Sequence, residues 1–160
     1  MKIISEQTIE NVIDSFEEGQ NEFLNLRDEM VETQLAFSAV LTDESLDVLK
    51  DEEYDLLWFM VTVIYGSIKK AHSNLPVIKP KAYEKAEELN WNTWNHSKGK
   101  NFRDKLDVFF EGFEQEDLLA FVEDSLESDE EYNISNTGRE VIFIICKTML
   151  DVFDTAITEN

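Results

Sequence analysis

Chain breakers are scarce in this sequence of 160 residues, with only 5 glycines and 2 prolines. That scarcity argues against a fold of many short strands joined by tight turns and for long helices. Cys146 is the only cysteine, so no internal disulfide can form. Set in the apolar run "VIFIICKTML", it is expected to be a small buried thiol, and a reducing cytoplasm is the natural home for such a chain. Histidine occurs twice, at His72 and His96, with no ligand spacing to Cys146, which leaves a zinc site without a donor set. No glycine-rich phosphate loop, nucleophile elbow or cysteine–histidine signature is present. Long hydrophobic runs are missing too. The longest begins at Leu56, is interrupted by Thr62, passes Tyr65, Gly66 and Ser67, and ends at Ile68 before Lys69 and Lys70. A membrane span needs about 20 apolar residues, so this run is expected inside protein. The opening "MKIISEQTIEN" has two isoleucines and then acids, which is not the apolar core of a signal peptide.

What is abundant is helix-forming and apolar. The hydrophobic share is 42% with 11 phenylalanines, enough for one domain of ordinary size to build a core. A first helix is expected from Ser5, a capping residue, to Glu18, with Gly19 as its stop. A second should run from Asn21 to Leu41 on a stripe of Phe23, Leu26, Met30, Phe37, Val40 and Leu41. Pro80 suits a first helical position, and a helix to Trp94 follows it. Further helices are expected over 102–113 and 116–126. In "TGRE", Thr137 and Glu140 form a capping-box pattern that would open the last helix.

Two segments, 51–72 and 137–156, are apolar nearly all round, as helices at the centre of a bundle must be. Leu57, Val61 and Ile64 of the first should meet Ile142, Ile145 and Met149 of the second. The expected fold is therefore all-α, a single domain over 1–160, with six to seven helices around these two. The central segments also look alike. A shift of 85 lays "DLLWFMVTVIYGSIKKA" over "EVIFIICKTMLDVFDTA", and a shift of 84 lays "QLAF" over "LLAF". One reading is a duplicated helix pair, 22–72 and 106–157, joined by 73–105; the other is chance likeness between two buried helices.

Charge is the strongest compositional feature. Against 14 basic residues stand 35 acids, a net charge of −21. Residues 1–56 hold 16 acids and 3 bases, residues 57–105 hold 4 acids and 9 bases, and residues 106–160 hold 15 acids and 2 bases. Two acidic arms thus flank a mildly basic middle. Such a field repels nucleic acid and anionic membrane and attracts basic protein. The clustered acids Asp129, Glu130 and Glu131 are candidate partner contacts. Trp91 and Trp94, three apart on one helix face, are a candidate hot spot, with core packing as the alternative. Lys98, Lys100 and Arg103 form the one candidate basic patch.

"EMVE" at 29–32, followed after a helix-sized gap by "EEYDLLWF" at 52–59, resembles the carboxylate pattern of the MazG-like all-α nucleotide pyrophosphohydrolases. That resemblance implies Glu29, Glu32, Glu52 and Asp55 as ligands for Mg²⁺ on a nucleoside triphosphate. Hard Mg²⁺ takes oxygen ligands beside substrate phosphates, so the chemistry is coherent. The residues themselves favour a different primary expectation: an acidic, cofactor-free binding protein of the inhibitor or immunity kind. Its partner would be basic protein, such as a toxin or the cleft of a nuclease. A third expectation is a nucleic-acid mimic whose carboxylates imitate phosphate spacing.

Overall fold

The computed structural model describes residues 1–19, 21–128 and 133–159. Among the described residues, eight α-helices and one short 3₁₀ turn account for the regular structure, and no strand occurs. The helices are α1 Glu6–Glu18, α2 Glu22–Thr33, α3 Leu35–Leu41, α4 Asp51–Ala71, α5 Pro80–His96, α6 Phe102–Phe110, α7 Glu116–Ser125 and α8 Asn136–Glu159. The 3₁₀ turn, Glu44–Val48, occupies the acidic stretch before α4 and is opened by Asp43, whose side chain accepts from Ser45 N–H. No helix among the described residues is long and apolar enough to cross a membrane.

The core forms around α4 and α8, which pack against each other. Leu57, Val61, Ile64, Ile142, Ile145 and Met149 are all buried in one cluster. Between these central helices and their neighbours lie aromatic contacts: Phe37 of α3 stacks on Phe153 of α8 at 5.5 Å, and Phe109 of α6 meets Phe143 of α8 edge-on at 4.9 Å. At Gly66 the missing side chain lets Val12 of α1 and Leu26 of α2 close onto α4.

Local signals set most of the boundaries. Ser5 caps α1, its Oγ accepting from Thr8 N–H at 3.3 Å, and Pro80 opens α5. α6 ends at Phe110, short of the expected 113, where Gly112 takes a positive φ of 68° that a glycine adopts without strain. α5 continues to His96 and α8 to Glu159, both past the expected ends.

Two local expectations need correction. The helix expected over 21–41 is broken at Gln34, which has φ −123° and ψ 75°. The reason lies far along the chain. Gln34 is buried, and its carboxamide donates to Pro76 O and accepts from Ile78 N–H, both at 3.0 Å. Residues 76–78 are in no helix, so their backbone groups need partners, and Gln34 supplies them. The second correction concerns the start of α8. Ser135, not Thr137, takes the capping role, its Oγ accepting from Gly138 N–H at 3.0 Å.

The clasp at Gln34 has a counterpart. Gln115, the residue before α7, is equally buried; its carboxamide accepts from Ile4 N–H at 3.0 Å and donates to Lys2 O at 2.9 Å. Both glutamines stand at a helix N-cap and both hold two alternate residues of an extended segment. In each case that segment leads into a helix, α1 after Ile4 and α5 after Ile78. Gln115 reaches from the second half of the chain to its first residues, whereas Gln34 and the segment it holds both lie in the first half.

Candidate functional site

The acidic arms come together where α1 meets α7. Asp117 Oδ2 accepts from Glu6 N–H at 3.0 Å, so the N-termini of the two helices begin side by side. Each helix turns an apolar stripe inward, with Ile9 and Val12 of α1 and Leu118, Leu119 and Val122 of α7 buried. The residues at the margins of those stripes stay partly open. They line a groove of about 400 Å³ whose floor is Ile13, Ala120 and Phe121 and whose rim carries Glu6, Glu10, Asp117 and Asp124. No basic side chain lines it. A salt bridge links Asp124 to Arg103 at 3.5 Å, whereas among the described residues no cation pairs with Glu6, Glu10 or Asp117. An apolar floor ringed by carboxylates attracts a cationic group and rewards an apolar one.

A larger groove of about 850 Å³ lies between α5 and α8. It exposes Val77 and Leu89 and includes Phe113, but both signs of charge flank it, from Lys79 and Lys85 to Asp154 and Glu159. Its electrostatics therefore select no class of partner.

The residues singled out from sequence are dispersed. Asp129, Glu130 and Glu131 lie outside the described residues. The two tryptophans do not share a surface. Trp94 is buried against Phe102, Phe109 and Phe143, with Lys105 over its ring at 4.4 Å. Trp91 is half-buried and, with the exposed Leu89, borders a shallow groove on the outer side of α5. The reason is that α6 packs its phenylalanines onto one side of α5, and only Trp94 lies on that side.

The basic patch is likewise divided. Lys98 and Lys100 are exposed, but Arg103 reaches into the acids of α7 and pairs with Glu123, Asp124 and Glu127. Glu123 lies within this gathering of carboxylates. Burial pushes its pKa up, and the nearby Asp124, Glu127 and Asp107 add to that, against the opposing pull of Arg103. The expected patch thus keeps two free-standing lysines and loses its arginine to intramolecular pairing.

The four carboxylates of the pyrophosphohydrolase-like pattern are not brought together. Glu29 on α2 forms an ion pair with Lys69 and accepts from Tyr65 Oη at 3.4 Å. Glu52 and Asp55 stand on the first turns of α4, roughly 21–26 Å along the helix from Lys69 of that pair at about 1.5 Å of rise per residue. Glu32 is exposed on α2. No group of three histidine, cysteine, aspartate or glutamate side chains among the described residues is placed to hold a metal ion. His72 accepts from Lys2 N–H through Nε2 at 3.1 Å, which fixes its proton on Nδ1. Its pKa is lowered by burial and by the nearby Lys2 and N-terminal amine. The Cys146 thiol is fully enclosed, and burial raises its pKa far beyond the thiolate range.

One carboxylate that the sequence patterns did not single out is buried and held by donors at the starts of two helices. Glu53 is buried, and Oε1 accepts from Lys50 N–H at 3.0 Å. Oε2 accepts from Ser135 N–H at 2.7 Å and from Ser135 Oγ at 2.8 Å. Burial would raise its pKa, yet the donors of Lys50 and Ser135 together outweigh that effect and hold it below the usual carboxylate value. It sits at the positive ends of both α4 and α8, where the helix dipoles also favour negative charge. Its role is to join the two central helices. No capping-box pattern marks it in the sequence, because Lys50 is neither Ser nor Thr, although Glu53 takes the glutamate's half of that arrangement by accepting from Lys50 N–H.

No family model, no curated protein and no solved structure compared with this chain gives a match.

Proposed function

We propose that this chain is an acidic protein-binding module that neutralises a basic protein partner, in the manner of an inhibitor or immunity protein. The observation that carries this reading is the α1–α7 groove, where the N-terminal and C-terminal acidic arms meet over an apolar floor without a basic residue in the lining. Long-range attraction from a net charge of −21 would speed encounter with a cationic surface, and apolar contact would then hold the complex. The placement of the carboxylates fits this better than nucleotide hydrolysis, because Glu29 is committed to Lys69 and Glu52 and Asp55 lie at the other end of α4.

The test is affinity isolation from the source cell followed by association kinetics of each recovered pair across a salt series. A basic partner whose association rate falls steeply with salt is the expected result, since exposed charges are screened beyond about 8 Å at physiological ionic strength. Recovery of only neutral or acidic partners, or rates indifferent to salt, would refute the reading and leave the charge as a property of solvated helix surfaces.

A further inference from the structure

The α1–α7 groove, the α5–α8 groove and the outer side of α5 around Leu89 and Trp91 each offer an open apolar area. Only the first has a charge pattern that selects its occupant. We infer that the α1–α7 groove binds a short basic segment carrying one apolar anchor between lysine or arginine residues. The inference rests on the proposed function and adds the site and the chemistry of what enters it.

The groove dictates both requirements. Its floor offers the half-buried Ile13, Ala120 and Phe121, which an aliphatic or aromatic side chain would cover. Removing that surface from water favours binding independently of salt. Glu6 and Glu10 stand on one wall and Asp117 on the other, beside Asp124, which already pairs with Arg103, so cationic groups are wanted on both sides of the anchor. Size follows from the helix. Glu6 to Ile13 spans roughly 10 Å, the reach of about three extended residues or two helical turns. An anchored segment of this kind fits, and a long featureless polycation gains nothing from the floor. Nucleic acid is excluded by the four carboxylates, which would face its phosphates.

The experiment uses the full chain and two nine-residue peptides of lysine and serine. One has a central leucine and the other a serine at that place, with equal charge. Titration at low salt is followed by amide chemical shifts in α1 and α7 and by the dissociation constant. The leucine peptide should bind about tenfold more tightly than the serine peptide, with shifts confined to residues lining the groove. Glu10→Lys, at an exposed position, and Ala120→Gln, which fills the floor, should each weaken the leucine peptide at least about tenfold, provided thermal melts show the fold intact.

Equal binding of the two peptides, with shifts scattered over the acidic surface, would overturn the groove while leaving a general attraction for basic partners. Shifts centred on Val77, Leu89 and Val152 would also overturn it, by moving the site to the α5–α8 groove. Failure of both peptides to bind at low salt would overturn the groove and the acidic-acceptor reading together.

Discussion

Gln34 and Gln115 hold two separate segments of the chain by the same pair of hydrogen bonds. Each carboxamide bridges an N–H and a carbonyl two residues apart in an extended segment, Ile78 and Pro76 for Gln34, Ile4 and Lys2 for Gln115. A carboxamide offers one donor edge and one acceptor edge, so it can satisfy both groups without another strand. The apolar anchors of these segments, Ile4 and Ile78, are buried in the core, which fixes where α1 and α5 begin.

Replacing either glutamine by methionine keeps much of the volume but strands the buried N–H of Ile78 or Ile4. An unsatisfied buried group costs about 1–3 kcal/mol. Gln34→Met and Gln115→Met should therefore each lower stability by about that amount in urea denaturation. The clasps share no hydrogen-bonded residue, but Lys2 also bonds His72, four positions before Pro76; the double variant should lose more than either single variant, and its departure from the sum measures their coupling. A change near zero in either single variant would mean that water replaces the carboxamide at no cost.

Glu53 predicts an acid-sensitive contribution to stability. Its folded pKa is depressed, so the stabilisation is present above the unfolded value near 4.5 and is lost as pH falls through the folded value. Glu53→Gln should destabilise at neutral pH by about 1–3 kcal/mol, since the amide presents a donor where Ser135 also donates. The difference between wild type and variant should shrink as pH falls below the usual carboxylate range. Glu87 and Glu123 have raised values and titrate in the opposite sense, so the difference between the two proteins, not either curve alone, is the measurement. A pH-independent difference would refute the role of the ionised carboxylate.

Gly138, in the first turn of α8, should tolerate alanine poorly. In a helix, glycine to alanine ordinarily gains about 0.5–1 kcal/mol. Here an added methyl would collide with the carboxyl group of Glu53, which is held from two sides and cannot swing away without losing its bonds to Ser135. Gly138→Ala is expected to lower the melting temperature, and the loss should be smaller in a Glu53→Ala background, where the obstruction is gone. A stabilising effect in the wild-type background would show that the two helix ends shift apart readily.

The central packing predicts large losses on truncation. Leu57 and Ile145 lie in the same buried cluster, one on each central helix. Leu57→Ala and Ile145→Ala should each cost about 2–5 kcal/mol, through lost burial and the cavity left behind. Chemical denaturation with unchanged denaturant dependence would check this; a cost under about 1 kcal/mol at both positions would place the core elsewhere.

Seen against these tests, the division between sequence and tertiary structure is specific. Ser5, Pro80 and the unbroken apolar runs of 51–72 and 137–156 act on their own neighbourhoods, through capping, a fixed φ and side-chain burial. Their effects were therefore legible residue by residue, and with them the all-helical class, the central pair and the uneven charge. Helical periodicity also carried across Gln34 without a sign of the break, because Phe23, Leu26, Met30 and Phe37 remain one apolar series whether or not the helix is continuous. The break is set by the backbone of residues 76–78, which needs a buried partner and finds it 42 and 44 positions back along the chain. Glu53 was one acid among 35 in sequence; only the arrival of the α8 N-terminus gives its second oxygen a donor and buries it. The same holds for the groove. Glu6 and Glu10 belong to one arm of the chain and Asp117 and Asp124 to the other, and their meeting over Phe121 depends on α1 and α7 packing side by side, a relation between surfaces that no local pattern encodes.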